Sequence, residues 1–350
     1  MTMILNWLYD MAVGFVGLQH FADPNPNVQT TGSANLSGEN KTFYHDTLID
    51  SAEPYLVHDQ FAMEIPIPEH GGKTLELRIF DVLDKQTREL TEGVTPDGNN
   101  LKMRTMTVEV KQYGDYVTIS DVASVTMIDP LILQATKAMG SQAGRSLDTV
   151  TREVLTAGTN VMYAPKVENG VATEITSRAG LTADCKLTPD LIFQAAAQLK
   201  AMLAEPFGRD FIAIIHPYAS YDLMRSAGNE WIDTVKYAAS EQIFSGEIGR
   251  IAGVRFIEST EAKVVKGGSG GNLGVFLTMV LGKDAYATTK VSGLGLEHIF
   301  KPLGSSGVAD SLDQRCSVGW KATKACIRVK EQNMVRIESC GRFSSKVEAN

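Results

Sequence analysis

The glycines of SGEIGRIAGVRFIES, residues 245–259, are the first candidates for a chemical role, because glycine-rich loops can cradle phosphate groups. A dinucleotide site needs a strand before such a loop and a helix after it. Here a helical or turn segment precedes Gly246 and Gly249, the strand VRFIES follows Gly253, and the spacing is not GxGxxG. We therefore interpret Gly246 and Gly249 as helix C-cap and turn positions, not as nucleotide ligands.

A second glycine-rich stretch, KGGSGGN at residues 266–272, and the pair Gly282 and Lys283 do not form a phosphate-binding P-loop either. A P-loop needs a glycine five positions before the Gly-Lys pair and a serine or threonine after it. This chain has Leu277 and Asp284 at those positions. The pattern favours a flexible surface loop at 266–272.

The histidines and cysteines lack the spacing of a metal site. No HExxH motif, CxxC pair or GxSxG nucleophile elbow is present in the sequence. Carboxylate pairs such as Glu64 with Glu69 are more typical of solvated surfaces than of acid/base catalysis. We predict a non-enzymatic protein without catalytic residues, metal or cofactor. Its thiols are predicted to be reduced and mostly buried, at Cys185, Cys316, Cys326 and Cys340.

The net charge of the chain indicates which kinds of partner its surface can bind. The 350 residues carry a formal net charge of -8, with 43% hydrophobic and 21% charged residues. This composition is ordinary for a globular protein, and its acidity argues against a surface built to neutralise nucleic-acid phosphates.

The N-terminal segment is apolar, but no Lys or Arg precedes Lys41, and the run from Met11 to Leu18 is too short to span a bilayer. We predict a docking helix or a removable leader, and no membrane partner. Residues 21–41 are rich in Pro, Asn, Gly, Ser and Thr, which favours an extended arm. A helical stretch broken at Pro54 is predicted over about 43–61.

Two runs of alternating apolar residues, KTLELRIFDVL and LKMRTMTVEVKQYGDYVTIS, predict the strands of a long β-hairpin. Between them, residues 84–100 form a polar, charged tip. A two-stranded hairpin is marginally stable by itself in water, so we expect its apolar face to need a partner.

Asp129 and Pro130 predict the start of a long helix, which apolar spacing extends to near Ala157. Such a helix is roughly 40 Å long and could serve as a spine. Alternating helical and strand patterns indicate a mixed α/β domain over about 187–300. The stretch ACIRVKEQNMVRIESC then predicts two strands around a turn at 331–333.

Four stretches carry a family resemblance: FYHDTLIDSAEPYLVHDQFA (43–62), LTEGVTPDGNNLKMRTMTVEVKQYGDYVTISD (90–121), FIAIIHPYASYDLM (211–224) and GEIGRIAGVRFIES (246–259). Through them the chain resembles tailed-phage major capsid proteins of the Hong Kong 97 fold, in particular the branch typified by phage N-four. The resemblance implies an α+β fold. Its parts are an N-terminal arm at 1–58, an E-loop hairpin at 59–115, a peripheral domain with the spine helix at 116–186, an axial domain at 187–300, and a return to the peripheral domain at 301–350. Residues 1–17 look like an addition to the family pattern.

The resemblance also implies a function: self-assembly into hexamers and pentamers that form an icosahedral shell around double-stranded DNA, without sequence-specific DNA binding. The implied partners are other copies of the chain and scaffolding, portal and decoration proteins, with assembly in the host cytoplasm. We expect contacts between subunits at charged residues in and near the hairpin tip: Arg78, Lys85, Arg88, Glu89, Glu92 and Lys102. Some relatives cross-link Lys to Asn between subunits, but no carboxylate for that chemistry is specified here.

Two alternatives remain open from the sequence. An encapsulin-like cage would have the same fold but hold cargo protein instead of DNA. A soluble α/β enzyme would stay small on a sizing column and contain a pocket with convergent polar groups.

Overall fold

The computed structural model describes residues 46–350 except 53–54, 67–72, 81–82, 84, 88, 91, 96–97, 127–130, 169–170, 228–231, 234–246, 290–294 and 306–309. The predicted docking helix and the polar arm lie outside the described residues, as do Arg88 and Gly246.

The described helices are α1 (46–52), α2 (Asp121–Thr126), α3 (Leu131–Thr156), α4 (Pro189–Ala201) and α5 (Pro217–Ala227). The described strands are β1 (Met63–Ile65), β2 (Thr74–Phe80), β3 (Met103–Glu109), β4 (Lys111–Ser120), β5 (Val161–Tyr163), β6 (Lys166–Glu168), β7 (Val171–Thr173), β8 (Phe211–Ile215), β9 (Ile232–Asp233), β10 (Glu247–Ile251), β11 (Val254–Glu258), β12 (Val264–Gly267), β13 (Leu273–Leu281), β14 (Tyr286–Thr289), β15 (Leu296–Lys301), β16 (Arg315–Lys324), β17 (Cys326–Arg328) and β18 (Met334–Ser339).

A mixed eight-stranded sheet forms the largest core. Its order is β5-β18-β13-β8-β11-β10-β9, with β12 paired to β13. The runs FIAII and LGVFLTMVL are almost wholly buried, as expected for strands covered on both faces. Phe211, Ala213 and Ile215 pack with α4 and α5, whereas Ile212 and Ile214 pack with Leu155 of α3. The alternation of β8 therefore divides the core into two layers.

Gly249 has a different role from the one predicted for it. β10 and β11 form an antiparallel hairpin in which Gly249 lies opposite Phe256. The turn is formed by Ala252 and Gly253, both with positive φ of 57° and 76°. Two successive positive φ values suit a tight hairpin turn that matches the twist of the strands. The interpretation of Gly249 as a helix cap or turn residue was therefore wrong, because EIGRI is itself a strand.

A three-stranded sheet, β15-β16-β4, lies against the spine helix α3. Alternate residues of β16 are buried, so one face of this sheet packs on α3 and the other is left to solvent. The predicted second strand of the hairpin is thus two strands, β3 and β4, separated by Val110, and only β3 belongs to the hairpin.

Helix α1 crosses α3 at Gly140 and Gly144. A Cβ atom at Gly140 would lie 2.6 Å from the carbonyl oxygen of Leu48, and one at Gly144 would lie 2.4 Å from that of Ala52. Two glycines one helical turn apart therefore permit contact between helix backbones, which larger residues would prevent.

A small sheet, β1-β14-β17, supports the hairpin formed by β2 and β3. The two C-terminal strands predicted around 331–333 are β17 and β18, but they join different sheets. The turn between them carries the chain from the hairpin support back to the large sheet.

Candidate assembly surfaces

The base of the β2–β3 hairpin packs on its own chain. Leu75 lies opposite Val108 in the ladder, and Leu77 lies opposite Met106. These residues face the small sheet, where Leu75 is only 5% exposed against Ala287 and its neighbours. The expectation that the whole apolar face needs a second protein was therefore too broad: the chain covers the base of the hairpin itself.

Cover on this face extends as far as Ile79, whereas the opposite face of the hairpin is open to solvent at its distal end. The last ladder pair, Phe80 and Met103, is 57% and 51% exposed. Beyond it lies the hairpin tip, residues 83–102, in which further large apolar side chains are exposed: Leu83, Leu90, Val94 and Leu101. Large exposed apolar patches on a protein commonly mark an interaction surface.

The predicted contact residues divide between the hairpin and its tip. Arg78 lies on the exposed face of β2, 3.7 Å from the carboxylate of Glu76. The described tip residues among them are all exposed: Lys85, Glu89, Glu92 and Lys102. The structure thus places the tip residues at the surface, as a contact role requires, while Arg78 already has a partner on its own strand.

A buried ammonium group fixes the root of the hairpin, which we define as residues 57–65. Lys324, at the inner end of β16, donates to Oδ2 of Asp59 at 2.5 Å and to the carbonyl oxygen of Leu147 at 2.9 Å. Thr151 donates to the other carboxylate oxygen of Asp59 at 2.6 Å. Because the Lys324 side chain is buried, this pair ties the root to the spine helix and to the β15-β16-β4 sheet.

His58 adds a second tie at the same place. Its backbone N–H donates to Oδ1 of Asp148 at 2.7 Å, and its Nδ1 lies 2.6 Å from Oδ2 of the same carboxylate. The hydroxyl of Tyr286 donates to the carbonyl oxygen of His58. Burial raises the pKa of Tyr286 well above its usual value, so this hydroxyl stays protonated as a donor.

This network was not predicted from the sequence, although one signal of it is present there. Alternation along β16 places Lys324 on the same face as Val318, Trp320 and Ala322. A lysine on an apolar strand face needs an acidic partner, because an unpaired buried charge is strongly unfavourable. The identity of the partner, Asp59, depends on the tertiary fold.

A third cluster joins the spine helix to the large sheet. Arg336 donates through Nη1 to the carbonyl oxygens of Thr156 and Gly158, at the C-terminal end of α3. A cation at this position satisfies carbonyl groups that the helix leaves unpaired. Glu338 lies 3.0 Å from Arg336 and accepts two hydrogen bonds from Arg178, which raises the pKa of the Arg178 guanidinium.

The cysteines are free thiols, three of them buried. Burial raises the pKa of Cys326 to about 12 and that of Cys340 to about 11, so neither is a ready nucleophile at neutral pH. The described residues contain no group of His, Cys, Asp or Glu side chains that could hold a metal ion. No helix in the described part of the chain has the length and hydropathy to cross a bilayer.

Comparison with known proteins identifies the family. The family model described as phage capsid protein matches residues 104–322, more than half of the chain. A search of curated proteins gives no significant match.

Solved phage capsids share the fold. The capsid of Ralstonia phage GP4 matches with a TM-score of 0.64 at 13% identity, over 81% of this chain and 86% of that chain. The capsid of cyanophage Pam1 matches with a TM-score of 0.56 at 15% identity, over 83% of this chain and 92% of that chain. The capsid of cyanophage P-SCSP1u matches with a TM-score of 0.56 at 14% identity, over 80% and 87%.

These matches confirm the predicted Hong Kong 97-type fold and favour a phage shell over both the cargo-holding cage and the soluble enzyme. The narrower likeness to the phage N-four branch stays a prediction. The chain belongs to the phage capsid protein family, and it is a structural subunit of a virion shell.

Proposed function

We propose that this major capsid protein assembles into hexamers and pentamers that close into an icosahedral shell around the double-stranded DNA genome. The observation that carries the proposal is the contrast within the hairpin, whose base is buried on its own chain while its apolar tip is exposed. A rigidly rooted element with an exposed apolar end suits a contact with another copy. Repeated contacts of this head-to-tail kind close into rings.

The hairpin should account for a large part of each contact. Stable interfaces bury upwards of roughly 1,000 Å² in total. The exposed aliphatic residues of the tip would supply the apolar centre of such an interface. The charged contact residues Arg78, Lys85, Arg88, Glu89, Glu92 and Lys102 would select the register at its rim.

The domain division follows the same proposal, with an N-terminal arm at 1–58, an E-loop at 59–115, and peripheral and axial domains after it. Strand pairing supports moving two of these boundaries. β4 pairs with β16 along its length, which favours ending the E-loop near residue 110. β14 and β15 pair outside the large sheet, which favours ending the axial domain near Leu281.

Scaffolding, portal and decoration proteins are the further partners we propose, with assembly in the host cytoplasm. The formal charge of -8 supports a container that does not bind its DNA tightly or by sequence, since net acidity repels phosphates.

Electron microscopy and analytical ultracentrifugation of the purified full-length chain test the proposal. We expect closed shells or rings of five and six subunits. A variant in which residues 84–100 are replaced by a two-residue Asn-Gly turn should remain folded but sediment as a small species. Serine at the exposed Val167 and Val171 of the β6–β7 hairpin is the matched control and should leave assembly unchanged. A wild-type chain that stays monomeric at all concentrations and salt conditions would contradict the proposal.

A further inference from the structure

A cleft lies between the hairpin and the end of the spine helix. Its volume is about 410 Å³. Its walls come from Met106 of β3, from Val154 and Ala157 at the end of α3, and from Ile327 and Arg328 of β17. We refer to this site as the spine-end cleft.

The walls of the spine-end cleft are mostly apolar and belong to three separate elements. Met106 is half-buried and lies opposite Leu77 in the hairpin ladder. Val154 is also half-buried, and Ala157 follows it by about one helical turn. Ile327 pairs with a residue of β14 in the small sheet. Small-molecule sites are typically clefts of this kind, apolar with a few well-placed polar groups.

The size of the cleft limits what it can hold. Ala157 has a small side chain, so the space beside it is not filled by the chain itself. At roughly 30 Å³ for each water-sized group, the cleft holds about a dozen such groups. An aliphatic chain of about ten carbons therefore fits.

One cation in the lining selects the head group of a ligand. Nε of Arg328 lies 3.7 Å from Oε2 of Glu331, which is beyond hydrogen-bond distance. The other oxygen of Glu331 is engaged elsewhere, because it accepts from the N–H and the hydroxyl of Thr159. Nη1 of Arg328 is buried and has no hydrogen-bond partner among the described residues. A guanidinium with an unused donor favours a carboxylate, which it can bind through two parallel hydrogen bonds.

The acidic residue of the cleft is already neutralised. Glu153 also lines it, and its carboxylate accepts hydrogen bonds from Arg152 at 3.0 Å and from Lys263 at 2.6 Å. Arg328 is paired through Glu331 with a residue beyond the end of α3, whereas Glu153 lies inside the last turn of that helix. The two charged groups are therefore separated along the helix axis, and a carboxylate bound at Arg328 avoids Glu153.

We propose that the spine-end cleft binds a medium-chain aliphatic carboxylate, with its head on Arg328 and its chain between Met106 and the end of the spine helix. Such a ligand contacts the hairpin and the spine helix at once, so it holds the hairpin against the body of the subunit. The binding is independent of the proposed function. Its effect on assembly, through the angle of the hairpin, rests on that function.

Calorimetric titration of the unassembled full-length chain with decanoate tests the site, at concentrations below those at which decanoate forms micelles. We expect saturable binding of one decanoate per chain. Decylammonium, which has the same chain and a cationic head, should bind about tenfold more weakly. Uptake that does not saturate, or equal affinities for the two probes, would overturn the proposal.

Two substitutions locate the binding. Ala157→Trp fills the cleft and should abolish decanoate binding. Ala201→Trp, at the exposed end of α4, is the matched control and should bind decanoate like the wild type. Arg328→Met keeps the cleft but removes its cation, so the affinities for decanoate and decylammonium should become similar. Decanoate binding that survives Ala157→Trp would place the site elsewhere and refute the assignment.

Hydrogen exchange tests whether the ligand holds the hairpin. Decanoate should slow the exchange of backbone amides in β2 and β3 near Leu77 and Met106, and leave the separate β6–β7 hairpin unchanged. Unchanged exchange in β2 and β3 at saturating decanoate would contradict this part of the proposal.

The outcomes separate this inference from the proposed function. A chain that never forms shells but binds decanoate as described would remove the shell proposal and leave the ligand site. A chain that assembles but does not bind decanoate would remove the ligand site and leave the shell proposal.

Discussion

The root and the tip lie at opposite ends of the hairpin and differ in how their side chains are held. At the root, Asp59 and His58 are fixed by buried hydrogen bonds to Lys324 and Asp148. At the tip, aliphatic side chains are exposed. A buried charge pair gives little net stability but strongly penalises any rearrangement that separates it. The contrast indicates that the subunit fixes where the hairpin begins and leaves its far end exposed, as the proposed contact with another copy requires.

The largest loss of subunit stability is expected from a substitution at the root of the hairpin. Lys324→Ala leaves the Asp59 carboxylate buried without its ammonium partner and should lower the free energy of unfolding by about 3–5 kcal/mol, measured by urea denaturation of unassembled subunits. The double variant Lys324→Met/Asp59→Asn, which removes both charges, should lose distinctly less. If the single and double variants were equally unstable, the pair would have no special role in fixing the root.

The next largest loss of subunit stability is expected at the base of the hairpin. Leu75→Ala removes a buried side chain from the contact with the small sheet and should cost about 2–4 kcal/mol of unfolding free energy. Leu77→Ala, one step further along the same half-buried face, should cost less. A reversed order would mean that the small sheet covers the hairpin further toward its tip than the structure indicates.

A smaller loss of stability is expected at the contact between helices α1 and α3. Gly144→Ala would put a Cβ 2.4 Å from the carbonyl oxygen of Ala52, so α1 must shift, at a cost of about 1–3 kcal/mol. Gly98→Ala in the tip is the matched control, because a Cβ there meets nothing within 4 Å. Thermal unfolding of both variants measures the difference. Similar melting temperatures would argue against close packing of α1 on α3.

The smallest effect on subunit stability is expected at the tip. Leu90→Ala should change the free energy of unfolding by no more than about 0.5 kcal/mol, because the side chain is exposed in the subunit. The same variant should lower particle yield, measured by sedimentation. A clear loss of subunit stability would show that the tip folds back on its own body.

The elements with strong local patterns were predictable from sequence. The spine helix was expected from Pro130 to near Ala157 and is described as Leu131–Thr156, because its apolar residues recur at helical spacing. The register of Leu75 and Leu77 on one face of the hairpin followed from strict alternation.

The missed features depend on distant parts of the chain. Lys324 binds Asp59, which lies far away in sequence, and no local pattern names that partner. The prediction for Gly249 was wrong because a glycine inside a short strand resembles, in sequence, a glycine of a turn or helix cap. Burial of the hairpin base could not be foreseen either, since the supporting strands β1, β14 and β17 come from three separate segments.

The firm seating of Lys324 has a mechanical consequence. With its base fixed, the seven-residue strand β2 behaves as a lever of about 20 Å, so a tilt of about 10° at the fulcrum swings its outer end by some 3–4 Å. Slight flexing near the pivot would then be enough to let one polypeptide reach neighbours set at the unequal angles of the five-fold and six-fold rings proposed above.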